Sequence, residues 1–574
     1  MVGFLLATLL APPDLKLPLP PDPTQLSGDE LALFDAEAVL AWCREQPARV
    51  SAVVRTEVEC LRRLGRRDEA AAVLNAAWSG GSFGRGDVPA GVSSALLEAA
   101  LSLSANADNA RFAELARVLF GRHGPTPENV AAMAIAEAIE GDTDAARRRI
   151  EEALKLHPRD VRVLNAARFI ASRGSDVGAV ADFQRRVLEV SPLPAPPESG
   201  PDQYLRWALL CEQAGRTEEG LRAVALSTAL YGFDGDRTKV AARLGAAGGL
   251  PEFGRLAAYF RKVEADAKAA GEEGRRNFKL SPRDFALEEV APKHRPALFP
   301  LRESLGMLTG VCGTDDPDRR ARAAVRIAML SLRHDAAAGA EPVLAKVRNA
   351  SPDDEDAFNA WAGVVIAGGD DGPKGDQRFR PGHRPVLLAE AVRAKPDFGR
   401  VEAVARRGRL EYPEEPAFVE RLTRAVAEQG RFGEALEYAD AASALDPTTA
   451  VTVVRTAALL KAGRHEEALS SALLAAGLRP NAPPNLQNLS ATAEHAGRMQ
   501  LAWAASRRFL GLYPRQYASF KNAFAVSLKL RRYGEARELI ADHRDVLTVK
   551  QRTDAEAEVA KAEAADPMRV PIVP

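Results

Sequence analysis

The sequence predicts an all-α chain of stacked antiparallel helix pairs, and three observations carry that reading. Alanine, the strongest helix former, makes up roughly a fifth of the 574 residues, while aromatics are only 6%. The 77 basic and 78 acidic side chains nearly cancel, and hydrophobic residues are 46% of the chain. That leaves enough apolar surface for a sizeable core and argues against disorder or a strongly basic nucleic-acid binder. The third observation is a period. Glycines at 430, 463 and 497, alanines at 435, 468, 502 and 536, and prolines at 447, 480 and 514 all recur every 33 or 34 residues in one phase.

Each residue type has a physical role in such a unit. Gly430, Gly463 and Gly497 end a first helix through the left-handed conformation. Ala435, Ala468, Ala502 and Ala536 fall early in a second helix, where a small side chain lets two helices approach closely. Pro447, Pro480 and Pro514 stop that helix and start the next unit. In the fourth unit Arg531 stands where the turn glycine would be. One such hairpin cannot bury its apolar face alone, so neighbours must stack.

Along the chain, residues 1–28 read as an apolar stub followed by a proline-rich linker. The run Val2–Ala11 fits the hydrophobic part of an export signal but lacks a basic flank, and Pro12 stands where cleavage would fall. A start codon placed too far downstream would explain this, and otherwise the run is a helix stub. A cytoplasmic protein is expected, or an exported, periplasmic one if the run belongs to a signal. Residues 29–234 form helical repeats, with Gly65, Ala70 and Leu74, then Gly141, Ala146, Ile150, Ala153 and Pro158, then Tyr204, Ala208, Gly215, Gly220 and Val224 in phase. Residues 235–315 lose the phase but keep helical stretches such as Glu252–Lys268. Residues 316–415 resume the repeats through Ala340, Leu344 and Pro352, with an inserted loop at 368–383 that interrupts the hairpin between Trp361 and a helix around Val386–Ala394. The most regular block is 416–548, and a helix and tail occupy 549–574.

With 34 residues, two helices, small residues at their contact and a closing proline, these units resemble tetratricopeptide repeats. The resemblance implies a right-handed superhelical solenoid whose concave face, lined by the first helix of each pair, holds a partner peptide or protein. Carried onto this sequence, the groove positions are Glu420, Arg424, Lys461, Gln487, Asn488, Glu494, Lys521, Asn522 and Lys529. Asn488, Lys521 and Asn522 resemble parts of the clamp with which chaperone-binding members hold a C-terminal carboxylate, although Val453 and Ala457 break the full pattern. A ligand crossing the groove is expected to carry an acidic segment towards Lys521 and Lys529.

No catalytic signature accompanies the repeats. The sequence has no phosphate-loop, zinc-protease or nucleophile-elbow motif, and the glycines of Gly80–Gly86 follow no strand. The eight histidines are scattered, so no helix-borne metal pair exists, though a site assembled in space remains open. The cysteines at 43, 60, 211 and 312 are too widely spaced for a disulfide framework and read as buried small hydrophobes. Arg378, Arg380, His383 and Arg384, with Phe379 among them, form a local basic cluster on the inserted loop that suits an anion or acidic peptide. Acids balance the arginines elsewhere and stacking aromatics are few, which disfavours nucleic acid. No apolar run reaches the roughly 18–20 residues that span a bilayer. The expectation is therefore a protein-interaction scaffold or adaptor without metal or cofactor, and not an enzyme. The alternatives are an exported envelope-assembly or regulatory repeat component and a helical enzyme with its site in 235–315.

Overall fold

The structure, a computed structural model, describes residues 15–78, 83–84, 87–105, 107–174, 176–193, 202–232, 235–250, 308–447 and 451–566, with isolated positions between 253 and 265. Among these residues are twenty-seven α-helices, a 3-10 turn at Pro23–Gln25 and no strand. The fold class is the expected one, an all-α array of antiparallel helix hairpins. Val2–Ala11, most of the Gly80–Gly86 loop and most of Glu252–Lys268 lie outside the described residues.

Contacts group the chain into two compact units. A terminal unit joins residues 14–203 to residues 465–574, and a central unit comprises 204–464. In the terminal unit α1 (Gly28–Leu31) and α2 (Ala36–Glu45) precede four hairpins. These are α3 (Ser51–Arg63) with α4 (Arg67–Ala77), α5 (Ser94–Ser104) with α6 (Asn109–His123), α7 (Pro127–Ile139) with α8 (Thr143–Leu156), and α9 (Val161–Arg173) with α10 (Val177–Val190). Side chains of Asp108, Thr126, Asp142, Asp160 and Asp176 accept backbone N–H groups at the helix starts, satisfying donors no carbonyl can reach. Each first helix packs on its own partner and on the first helix of a neighbouring pair, as α7 does on α8 and α9.

The central unit contains α11 (Gln203–Gln213), α12 (Thr217–Tyr231), α13 (Gly235–Ala247), α14 (Pro317–Arg333), α15 (Ala337–Ala350) and α16 (Glu355–Ala367). It continues with α17 (Arg384–Arg393), α18 (Phe398–Glu411), α19 (Pro416–Glu428), α20 (Phe432–Leu445) and α21 (Val451–Lys461). The terminal unit then resumes with α22 (His465–Leu478), α23 (Pro483–His495), α24 (Met499–Leu512), α25 (Tyr517–Lys529), α26 (Tyr533–Asp542) and α27 (Val549–Ala564).

The inserted loop joins α16 to α17, and the two helices pack against each other. Helix α17 also packs beside α14 and α18. Phe379 on that loop packs against the core of the central unit, and the Arg380 N–H faces Asn359 Oδ1 at 3.5 Å.

Cys43, Cys60 and Cys211 are buried and Cys312 half-buried, none of them in a disulfide. Burial pushes Cys43 and Cys60 up to about 12.

The hairpin turns share one geometry. Gly430, Gly463 and Gly497 have φ of 82°, 74° and 73°. After each, an arginine N–H reaches back five residues, as Arg498 does to the carbonyl of Ala493 at 2.7 Å. Ala435, Ala468, Ala502 and Ala536 are fully buried. Arg531 adopts the same left-handed turn at φ 58°, and Arg532 closes it on Ser527 at 2.9 Å. A Cβ makes that conformation costly, and Arg531 recovers part of the cost through a pair at 3.1 Å with Asp566, whose side chain is largely buried. Arg531→Gly is therefore expected to stabilise the protein by about 0.5–1 kcal/mol, and Gly497→Ala to destabilise it by about 1 kcal/mol. Urea denaturation followed by circular dichroism reads both shifts.

Candidate functional site

The residues expected to line a groove divide between the two units. In the central unit Arg424 and Lys461 are exposed, the Lys461 ammonium lying 5.5 Å from the centre of the Phe432 ring. Glu420 is not a groove residue. It is buried in a cluster of charges at the end of α14. There the Arg333 guanidinium bonds Glu415 at 3.0 Å and also Asp446, and all three side chains are almost wholly shielded from water. Burial alone would lower the Arg333 pKa, but the charges of Asp446, Glu415 and Glu420 outweigh it and raise it. Beside this cluster Arg421 donates to the carbonyl of Leu332 at 2.6 Å and to Asp335 at 2.7 Å. Burial first, then the charge of Arg421, pull Lys395 down to about 8.

The side chains of the basic loop cluster have partners within the central unit. Arg378 holds Asp376 at 2.9 Å and the carbonyl of Pro352, and Arg380 pairs with Glu355. His383 faces Asp356 at 3.3 Å, and Arg384 lies over the Tyr412 ring at 4.8 Å. Two acids close in space but distant in sequence, Glu355 and Asp356, were invisible to a reading of the loop alone.

In the terminal unit Gln487 and Lys521 are exposed, and Asn488 is half-buried. Asn522 Oδ1 accepts from Ser490 at 2.8 Å, and Lys529 pairs with Glu494 across neighbouring hairpins. The expected run of free lysines for an acidic segment thus reduces to Lys521, because Lys529 is already neutralised.

A different site stands out in the terminal unit, a cleft of about 960 Å³. Its floor comes from first helices, with Arg55 and Glu59 on α3, Glu98 and Ser102 on α5, Glu128 on α7 and Arg162 on α9. One wall is residues 25–33, and the opposite side is α22 with Arg498. Ser470 Oγ donates to the carbonyl of Val190 at 3.1 Å, and Arg159 pairs with Glu467 at 3.4 Å, tying residues of the two chain segments together. Leu26, Leu31, Leu469 and Leu473 supply apolar lining. Arg162 bonds Asp160 at 2.9 Å and also Glu128. Burial pushes Asp160 up, but the bond and charge of Arg162 outweigh it and leave it below the usual carboxylate range. Glu98 is held only by Arg55 at 3.5 Å, and burial first and the Glu128 charge second raise its pKa.

Two residues that sequence spacing kept apart meet at this end of the unit, the rings of His465 and His495, with centres 5.6 Å apart. Among the described residues no group of three or more His, Cys, Asp or Glu is placed to hold a metal ion. No described helix is long and apolar enough to cross a membrane.

No family model and no curated protein matches the chain. Solved structures with partial likeness include the APC/C heterotetramer Cut9–Hcn1, at 12% identity over 83% of this chain and 95% of that one, TM-score 0.35. Yeast Tom70 matches at 13% identity over 76% and 96%, TM-score 0.28. A MamA from Desulfovibrio magneticus RS-1 matches at 13% over 32% and 97%, TM-score 0.25. Likeness at this level carries no argument about function.

Two outcomes follow from these charges. Glu415→Ala leaves Arg333 with Asp446 as its one bonded carboxylate and removes the α19 cap that Glu415 makes with the Ala417 N–H at 3.2 Å, so it should cost about 1–3 kcal/mol in urea denaturation. The second concerns Glu98. A carboxyl whose pKa is raised by folding favours the folded state below its unfolded value, and that contribution is lost as pH rises through the folded value. Glu98→Gln should therefore raise the melting temperature at pH 7 and leave it unchanged at pH 4, as read by thermal melts at both pH values.

Proposed function

We propose that the chain is a protein-interaction scaffold whose terminal unit holds a segment of another protein in the cleft. The observation that carries this reading is the construction of the cleft from the first-helix faces of successive hairpins. Stacked helices fix those side chains in place, so little ordering entropy is lost when a partner binds. Leu26, Leu31, Leu469 and Leu473 beside the paired charges of the first-helix faces give the cleft the mixed apolar and polar lining of a protein interface. Charged groups at an interface set register and association rate more than affinity.

The reading is tested by placing a photo-cross-linking amino acid at Ser102, inside the cleft, and at Leu410, 85% exposed on α18 of the central unit. Adducts to one partner segment, identified by mass spectrometry, are expected from position 102 and not from position 410. Adducts from position 410 alone would contradict the assignment of the cleft.

A further inference from the structure

The terminal unit holds a stretch of its own chain in the manner of a ligand. Residues 15–22 have no regular secondary structure, yet Leu15 and Leu17 are 5% and 6% exposed while Lys16 between them faces solvent. Alternation of that kind marks an extended segment lying in a groove. Pro20, Pro23 and Leu26 are buried further along.

Polar contacts to this stretch and the helix start after it reach both backbone and side chains. Arg55 Nη2 donates to the carbonyl of Thr24 at 3.2 Å, and Arg63 donates to the carbonyl of Gly28. The turn Pro23–Gln25 packs on α3. From the other side Gln500 Nε2 reaches Gln25 Oε1 at 3.3 Å, and Arg498 lies 3.7 Å from Glu30. Side-chain donors that bind carbonyls, with recesses for alternate apolar residues, are how a groove reads extended peptides. Prolines favour that conformation in the unbound segment and reduce the entropy lost on docking.

We propose that this groove, of which α3 forms one wall, docks extended proline-containing segments with leucines at alternate positions. Residues 15–26 are its internal occupant, and an outside segment of the same chemistry binds by displacing them. The outside half of this inference rests on the scaffold reading. The internal half does not. A tethered occupant has an effective concentration in the millimolar range, so the groove of the intact chain is masked and becomes available when the occupant is weakened.

The probe is a fluorescent synthetic peptide of residues 14–31, titrated by anisotropy into the full chain and into the full-length variant L15D/L17D. The variant is expected to bind the peptide at least about tenfold more tightly than wild type, because the competitor is gone. Equal binding, or no binding by a variant that keeps its helix content, would overturn the proposal. If L15D/L17D loses helix content, Leu26→Asp is titrated in the same way. Loss of helix content in both variants would show that the segment belongs to the core, which overturns the proposal equally. Peptide binding to the variant without partner adducts at position 102 would leave the groove standing and remove the scaffold reading, and the converse pair of results would do the reverse.

Discussion

The structure depends on one local constraint, the tight left-handed turn that folds one helix back on its predecessor over a buried alanine in the regular hairpins. Ala435, Ala468, Ala502 and Ala536 leave no room for a larger side chain without moving a helix. Once two helices are fixed that closely, each pair presents an apolar flank it cannot cover itself. Burial against the next pair follows, and with it the repetition of first-helix faces. The cleft inherits its order from that repetition, since α3, α5, α7 and α9 each contribute to its floor.

Features set by neighbours in sequence were legible without a structure. The glycine turn, the close-packed alanine and the terminating proline act within a few residues, so composition and spacing expose them. Even the exception, Arg531 in a glycine position, could be seen, because the chain keeps its phase across it. The loop at 368–383 was visible as an interruption, but its role was not. Which helices α17 packs on depends on tertiary contacts, and it touches α14, α16 and α18.

The charged sites were legible only in part, for a related reason. Glu420, Lys529 and the loop arginines carry charge in the sequence, but whether that charge is available depends on what folding brings beside it. Arg333 meets Asp446 across 113 residues, and nothing local signals either one. Arg380 and His383 are matched by Glu355 and Asp356, a helix start far from the loop in sequence. The cleft is the extreme case, because its lining runs from Gln25 to Arg498. One weak signal existed. Arg498 follows the turn glycine Gly497, a position where arginine recurs in neighbouring repeats at 431 and 464.

The cleft exists only if residues 14–203 and 465–574 fold as one unit, and the contact between Ser470 and Val190 tests this most directly. In the double variant Val190→Cys/Ser470→Cys, mild oxidation of dilute protein should give an intramolecular disulfide, identified as a linked peptide pair by mass spectrometry. The native thiols compete little, since three of the four are buried. Free thiols at both positions after oxidation, or a cross-link found only between separate molecules, would contradict the joined terminal unit and the cleft with it.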